Sequence, residues 1–584
     1  MSDLPREPRG YYLADKSLLE LTGQLRVVTG GCTRKRIASS ADFVVCGLET
    51  AGLKSAVRAA GASKPILVVL PGAFGMRCSG YPTSMTSVFV SPDALRGGVT
   101  DPEAVVLEVL HAQTQPVEEG SNCPVAENLA RGSETHGFPA WNAVASTSGT
   151  PPIVTALDPE PAVKGNQCRK SFWRRFLDIE NDPERNLQRL ERVLTEHTSW
   201  FDPYDGNEIS AHEALEIAGL IESRWQQNGR PSHCYGAQYW NHPSINATFS
   251  GAGGPVTFHE KWEEALTAAR RDGGQLICWA GRITAEIEEA CRNQGVPVIR
   301  IEDGFLRSVG LGAGLARGAM LATDDLGIYY DPSRASRLQE LLQVRDLLES
   351  EKQRGRDLIA EIVNAKVSKY NFGKMRDFRF RTDRKIILVP GQVADDAAIR
   401  KSRSSTIDCA CTPNVNLDLL KLARDRNPEA FIVFKPHPDV ETGLRKGKLA
   451  ADDLAGLADE VATQANIVDL IEACDELETF SSLSGYEALL RGKKVTVHGV
   501  PFYAGWGLTQ DLTPTPERTR TRHLDELVYL ALVEYARTID PVSLIHCSPE
   551  FLVSRLKFQR DDRRHLIVTA FRRHMSWLGR KLGL

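Results

Sequence analysis

Four short segments concentrate the residue types that hold or break a phosphorylated, acidic substrate. The first, RIEDGFLRSVGLGAGL from Arg300, ends an apolar run in Glu302 and Asp303, and Gly304 then lets the chain turn. Arg307, Ser308 and the glycines Gly310, Gly312 and Gly314 follow, a composition that brings backbone N–H groups close to an anion. The spacing is not GxGxxG, so it does not indicate a dinucleotide site. The second segment, IILVPGQVADDAAI from Ile386, carries Gln392, Asp395 and Asp396 after a strand-like run. A carboxylate there can serve as nucleophile, base or metal ligand, or it can cap the following helix. In the third, AFIVFKPHPDV from Ala430, Lys435 and His437 lie two apart on an extended chain and so share a face. Such a pair suits a phosphate or carboxylate. The fourth, Thr479–Thr509, offers Ser481, Ser482, Ser484 and Gly485 at a helix start, where the free N–H groups favour an anion. Glu487 follows in the first turn, to complement the dipole or hold a ribose. Beyond it runs PFYAGWG, whose Tyr503 and Trp506 either stack on a sugar or base or pack inside the fold.

These segments need strands to present them. Apolar runs at Phe43–Cys46, Ile66–Leu70, Val88–Val90, Leu276–Cys278, Val298–Ile301, Lys385–Val389, Phe431–Phe434 and Val495–Val497 alternate with amphipathic stretches. That rhythm predicts an α/β fold with parallel sheets, whose ligands sit at the carboxyl ends of strands. With 584 residues the chain has room for several domains. At 42% hydrophobic and 25% charged residues, it is neither disordered nor a small disulfide scaffold. Its net charge of −4 gives no reason to expect nucleic acid. The 12 cysteines include no CxxC pair, so no metal site is expected. The start has no signal-peptide profile and no run is long enough to span a membrane. A reducing cytosol is the expected compartment.

Residues 43–110 laid over 275–342 match at Cys46/Cys278, Pro65/Pro297, Gly72/Gly304 and Asp93/Asp325. Gly137-Phe138 echoes Gly485-Tyr486, and Phe201-Asp202-Pro203 echoes Ile539-Asp540-Pro541. Either two βαβ units agree by chance or the chain holds two related modules, the first altered. In the second case Leu70-Pro71 replaces Glu302-Asp303, and Pro139 replaces Glu487, in the first copy. The segment from about 113 to 167 is rich in Gly, Pro, Ser and Thr and reads as loop. From Arg555 to Lys581, nine Lys/Arg stand against two Asp and interleave with apolar residues that include Trp577. On a helix this gives a basic amphipathic face for a membrane surface, the alternatives being a solvated tail or a nucleic-acid patch.

The motifs EDGFLRSVGLGA (302–313), DDLGIYYDPSR (324–334), VPGQVADDA (389–397), FKPHPDV (434–440), SLSGYEALLRGKKVTV (482–497) and PFYAGWGLT (501–509) together resemble the capsule polysaccharide biosynthesis family of KpsC/LipA-type retaining β-Kdo transferases. The likeness covers roughly 232–556. It implies a GT-B-like α/β fold of two Rossmann-type domains with a parallel sheet each, here preceded by a degenerate related α/β module. The expected layout is an N-terminal unit 1–111, a linker 112–167, a helical connector 168–230, an acceptor-side domain 231–384, a donor domain 385–547 and a basic tail 548–584. The resemblance implies transfer of Kdo, or a similar 2-keto sugar acid, from a CMP donor to a lipid-linked Kdo or glycan acceptor. Asp396 is then the nucleophile, Glu302 the acid/base and His437 a leaving-group partner. Asp303, Arg307, Gln392, Asp395, Lys435, Ser482, Ser484, Gly485, Glu487, Tyr503 and Trp506 would line the substrates. CMP-Kdo is a substrate, and neither cofactor nor metal is called for. A cytoplasmic, peripheral location on the inner membrane follows, with capsule export machinery as a further partner. The alternative is a non-catalytic export or assembly protein of the same family. Two departures stand out: Ala398 replaces the Ser common after this motif, and RKSRSSTIDCACTP follows where a short link is usual.

Overall fold

Every apolar run expected to be extended forms a strand, because β-branched and apolar residues fill both faces of sheets covered by helices. The computed structural model describes residues 10–71, 83–95, 102–114, 175–176 and 183–562, apart from breaks at 16–17, 19–20, 30–31, 48–49, 62–63, 310–316, 372–377, 410 and 442–444. Gly310, Gly312, Gly314, Gly72, Gly137, Pro139, the loop-rich 115–167 and the tail 563–584 therefore lie outside the described residues. The chain divides into two compact units, Met1–Ser223 and Arg224–Leu584.

The first unit is built on seven strands: β1 (Gly10–Leu13), β2 (Thr33–Lys35), β3 (Phe43–Gly47), β4 (Ile66–Pro71), β5 (Ser84–Val90), β6 (Thr198–Phe201) and β7 (Glu208–Ile209). Their order is β2-β1-β3-β4-β5-β6-β7, parallel through β4 and antiparallel beyond it. One face packs Val44, Val68 and Val88 against Leu53, Val106 and Leu110 of two helices, and the other packs Phe43, Val45 and Leu67 against Leu25. The helical connector expected at 168–230 is thus not a separate piece, since β6 and β7 complete this sheet.

The second unit holds two sheets, labelled acceptor-side and donor only after the roles expected of their segments. The acceptor-side sheet comprises β8 (Ser232–Tyr235), β9 (Thr257–His259), β10 (Gln275–Trp279), β11 (Val298–Asp303) and β12 (Met320–Asp324). The donor sheet comprises β13 (Ile386–Pro390), β14 (Phe431–Lys435), β15 (Glu460–Val461), β16 (Glu476–Thr479), β17 (Lys494–Val497) and β18 (Gln510–Asp511), and β19 (Ala536–Thr538) follows in the chain. The donor sheet is parallel throughout, in the order β15-β14-β13-β16-β17-β18. This is the doubly wound Rossmann order, with its ligand crevice where the order reverses, between β13 and β16. The acceptor-side order is β19-β12-β11-β10-β8-β9, so the last strand before residue 547 leaves the donor domain and closes the other sheet. A boundary at 385–547 misses this return, which was hidden in the short, mixed ART of β19.

The basic tail also begins later than expected. Helix Pro549–Asp561 packs Leu552, Val553 and Leu556 inward, and buried Arg555 pairs with Asp540 at 2.8 Å. Arg555 is therefore part of the fold and not of a basic surface.

The first sheet and the acceptor-side sheet match strand for strand: β1 to β8, β2 to β9, β3 to β10, β4 to β11, β5 to β12 and β6 to β19, with the same relative directions. Their registers coincide too. Val44 faces Ile66 as Leu276 faces Val298, and Ser84 faces Trp200 as Met320 faces Thr538. The Asp-Pro turns repeat as well, with Asp202 N–H donating to Asn207 O (2.9 Å) and Asp540 N–H to Ile545 O (2.8 Å). Chance similarity of two βαβ units does not extend to six strands and a turn.

Candidate functional site

β11 delivers Glu302 and Asp303 at the carboxyl edge of the acceptor-side sheet, and β13 delivers the loop of Gln392–Asp396 at that of the donor sheet. Glu302 is half-buried, and the Asp303 N–H donates to its Oε1 at 3.1 Å. Burial first, then the neighbouring Asp303, push its carboxyl up to about 8, and Asp396 adds to the rise while Lys369 opposes it. Glu302 is thus protonated at neutral pH. Asp396 stands at the N-cap position of the short helix Ala397–Arg400, yet its exposed carboxylate caps no N–H there. The capping alternative for Asp396 is therefore not what the structure uses. Two carboxyls, one with a raised pKa, therefore stand at the carboxyl ends of β11 and of the strand that precedes Asp396, within electrostatic reach of each other.

Asp395 points elsewhere: it is exposed and pairs with Arg445 at 3.1 Å. Asp303 is held by buried Arg307 at 2.7 Å, so this pair neutralises itself and braces the turn after β11. Backbone N–H groups of Arg307 and Ser308 both donate to the carbonyl of Lys369 (3.1 and 3.2 Å).

His437 sits just after β14. The Asp439 N–H donates to its Nδ1 at 3.2 Å, which leaves the proton of the neutral ring on Nε2. Burial holds its pKa down at about 4, so the ring is a neutral N–H donor at physiological pH. Lys435 does not join it. Its ammonium is buried against Glu441 (3.4 Å) and the Pro436 carbonyl (2.9 Å), because the chain leaves the extended geometry at the proline.

At the β13/β16 crevice, Gln392 Oε1 accepts the Ser481 N–H (2.9 Å), tying the two strand ends together. Helix Leu483–Leu490 begins there, capped by Ser482 Oγ, which accepts the Ser484 N–H (3.2 Å). Gly485 is required by packing, since a Cβ would collide with the Tyr503 hydroxyl. That hydroxyl donates to Ser482 O (2.5 Å). Tyr503 and Trp506 are wholly buried, and neighbouring Phe502 packs on Phe305 with ring centroids 4.6 Å apart. The aromatic loop therefore packs inside the fold, joining the EDGF turn to the donor half, and offers no ring from these two residues for stacking. Buried Glu487 accepts the Lys369 N–H at Oε1 (2.9 Å), so its visible role is to anchor residue 369.

Two residues escaped the sequence reading. Lys369 lies in a coil after helix Glu349–Asn364, where no strand signal marked it. Tyr330, beside Glu302 and Asp396, has a buried hydroxyl with no hydrogen-bond partner among the described residues. The unusual 400–413 stretch is pinned to the donor sheet: Ser404 Oγ donates to His498 O (2.8 Å), and Thr406 Oγ1 meets His498 Nδ1 (2.9 Å). His498 in turn meets Glu478 at 2.8 Å in full burial. Lys401 crosses to Asp331 of the acceptor-side half at 3.0 Å.

A family model described as "Capsule polysaccharide biosynthesis protein" matches residues 275–361 and 350–539. The capsule polysaccharide modification protein LipA of Neisseria meningitidis serogroup A is 36% identical over 361 residues, covering 62% of this chain and 50% of LipA. This chain thus spans about half the length of LipA. The lipopolysaccharide-processing protein LpsZ of Rhizobium meliloti is 42% identical over 367 residues, 60% of this chain and 82% of LpsZ. Among solved structures, the β-Kdo 2,7 transferase of Thermosulfurimonas dismutans KpsC shares 32% identity, covering 57% of this chain and 100% of that one, with a TM-score of 0.46. Its β-Kdo 2,4 transferase shares 30%, covering 56% and 98%, with a TM-score of 0.48.

Proposed function

We propose that this chain, which belongs to the capsule polysaccharide biosynthesis family, is a retaining glycosyltransferase that moves Kdo or a similar 2-keto sugar acid from a CMP donor to a lipid-linked glycan. The observation that carries this reading is that the edge of β11 and the loop after β13 bring Glu302 within electrostatic reach of Asp396, with the Glu302 carboxyl raised to about 8. The substrate class is the one the motif resemblance implies, Kdo or a similar 2-keto sugar acid.

In the first displacement an Asp396 oxygen bonds to the anomeric carbon as the bond to phosphate oxygen breaks, and CMP leaves with the electron pair. The Nε2–H of His437 and the start of helix Leu483–Leu490 meet the charge gathering on phosphate. In the second, the acceptor hydroxyl attacks the same carbon, its proton passes to ionised Glu302, and Asp396 is released. Two inversions give retention. Charge on CMP is met by donors of the chain itself, so the proposal invokes neither metal nor cofactor.

Among the described residues no helix is long and apolar enough to cross a membrane. We place the protein on the cytoplasmic face of the inner membrane through the basic residues beyond 562, where a lipid-linked acceptor and the export machinery would be met. Removing 563–584 should release the protein from anionic vesicles in a sedimentation assay, and unchanged sedimentation would refute that anchor. The transfer itself is tested by incubation with CMP-Kdo and a Kdo-terminated lipid analogue, reading the anomeric configuration of the product by NMR. A β-linked product supports the double displacement, an α-linked product removes it, and the absence of any product favours the non-catalytic assembly role.

A further inference from the structure

The turn 368–371 is one of the most firmly held coils of the second unit. Ser368 N–H donates to Asn371 Oδ1 (3.0 Å), and Asn371 Nδ2 donates to Ser308 O (3.1 Å). Asn371 itself adopts φ 45°, which an Asn tolerates through such local bonds. Lys369 is fixed at both ends of its peptide: its N–H on Glu487 of the donor half, its carbonyl under Arg307 and Ser308 of the acceptor-side half. Its side chain is left with much less. The ammonium lies 5.5 Å from the centroid of the Tyr370 ring and has no ion pair or hydrogen bond among the described residues. It acts electrostatically on Glu302, Asp303, Tyr329 and His437, so it stands among the groups of the site.

Neither neighbouring carboxyl forms an ion pair with it among the described residues, and Asp303 is already engaged with Arg307. A half-buried ammonium with no direct ion pair or hydrogen bond is costly unless a ligand provides one. The phosphate of the donor has its own partners in His437 and the helix start at Ser482–Ser484, on the donor side of the crevice. Lys369 acts on His437 too, but it also flanks Glu302 and Asp303, where the reacting carbon must lie to be reached from Asp396 on one side and Glu302 on the other. In a 2-keto sugar acid that carbon bears a carboxylate, one bond from the centre of reaction. Resting on the transferase reading above, we propose that Lys369 is the specificity-determining residue that holds the carboxylate of the donor's reacting carbon, and so selects acidic keto sugars over neutral ones.

The test compares binding of CMP and CMP-Kdo by calorimetry, in an Asp396→Ala background so that the donor is not consumed. Lys369→Met should leave CMP affinity within about twofold, which also shows that the variant folds. It should weaken CMP-Kdo by about tenfold or more, the scale of a charge-assisted hydrogen bond. Lys369→Arg should recover part of that loss. Equal weakening of CMP and CMP-Kdo would assign the ammonium to phosphate and overturn the proposal, as would unchanged CMP-Kdo binding. If the parent itself gains no affinity from the sugar, the transferase reading fails and this proposal falls with it. In the otherwise wild-type enzyme, Lys369→Met should raise KM for the donor more than it lowers kcat, and a fall in kcat alone would contradict a binding role.

Discussion

The first sheet and the acceptor-side sheet share strands, register and a closing turn, and differ at the carboxyl edge where chemistry belongs. Leu70 faces Thr86 in the first as Glu302 faces Ala322 in the second. Where the second sheet presents a carboxyl raised to about 8, the first presents a leucine that is 2% exposed. The connections differ as well. After β12 the chain builds the whole donor sheet before returning at β19, whereas after β5 it returns at β6 with no second sheet among the described residues. Buried faces set strand register, so the scaffold persists when the edge loses its function. The proposed chemistry depends on two specific side chains and on a second sheet edge, so the first unit is expected to be a fold retained without that reaction, available for binding or support.

The largest expected effect concerns the edge that works. Glu302→Gln should lower transfer by about 10²–10⁴-fold, the usual contribution of a positioned acid/base. As a base Glu302 must be ionised, so wild-type kcat/KM should rise through pH about 8 and the variant should lose that limb. The sign for stability is opposite. A carboxyl whose folded pKa is raised binds its proton more tightly than in the unfolded chain, so wild-type stability falls as pH climbs from the ordinary glutamate range to about 8. Glu302→Gln should then melt higher than wild type at pH 8 while losing activity, a combination that a merely misfolded variant would not show.

Next comes an attempt to convert one edge into the other. Leu70→Glu places a carboxyl at the matching position of the first sheet. It should cost about 2–4 kcal/mol from burying the group without a partner and should create no transfer. Transfer gained by this change in an Asp396→Ala protein would break the comparison. Arg307→Met should cost about 3 kcal/mol, because it strands Asp303. Hydrogen exchange should quicken at β11 and β12 and stay unchanged at β3 and β4. The smallest effect is expected from Asp395→Ala, which removes an exposed pair with Arg445 worth about 0.5 kcal/mol and should leave transfer within about twofold.

What the sequence made legible follows from how each residue is signalled. Glu302 stands at the end of a strongly apolar strand and Asp396 in the loop that follows another, so their position at a sheet edge could be read directly. The internal repeat is legible only as one of two readings, from identities such as Cys46/Cys278 and Pro65/Pro297 and from the strand–helix–strand order. The return of the chain to the acceptor-side sheet could not be read, since three residues of β19 carry no periodicity. Lys435 was misplaced because alternation along an extended chain fails at Pro436. Tyr503 and Trp506 illustrate a deeper limit: an aromatic loop that packs and one that stacks on a ligand have the same composition. Lys369 was invisible for the opposite reason, being an ordinary lysine in a coil whose meaning comes only from what surrounds it.

The central claim is that one site, in the second unit, carries the reaction through Asp396. It is tested most directly by incubating the full chain and its Asp396→Ala variant with CMP-Kdo and a Kdo-terminated lipid analogue, and measuring CMP release together with extended lipid. The account predicts coupled release and extension by the wild type, and loss of about 10³-fold or more in the variant. Extension by Asp396→Ala at the wild-type rate would contradict it.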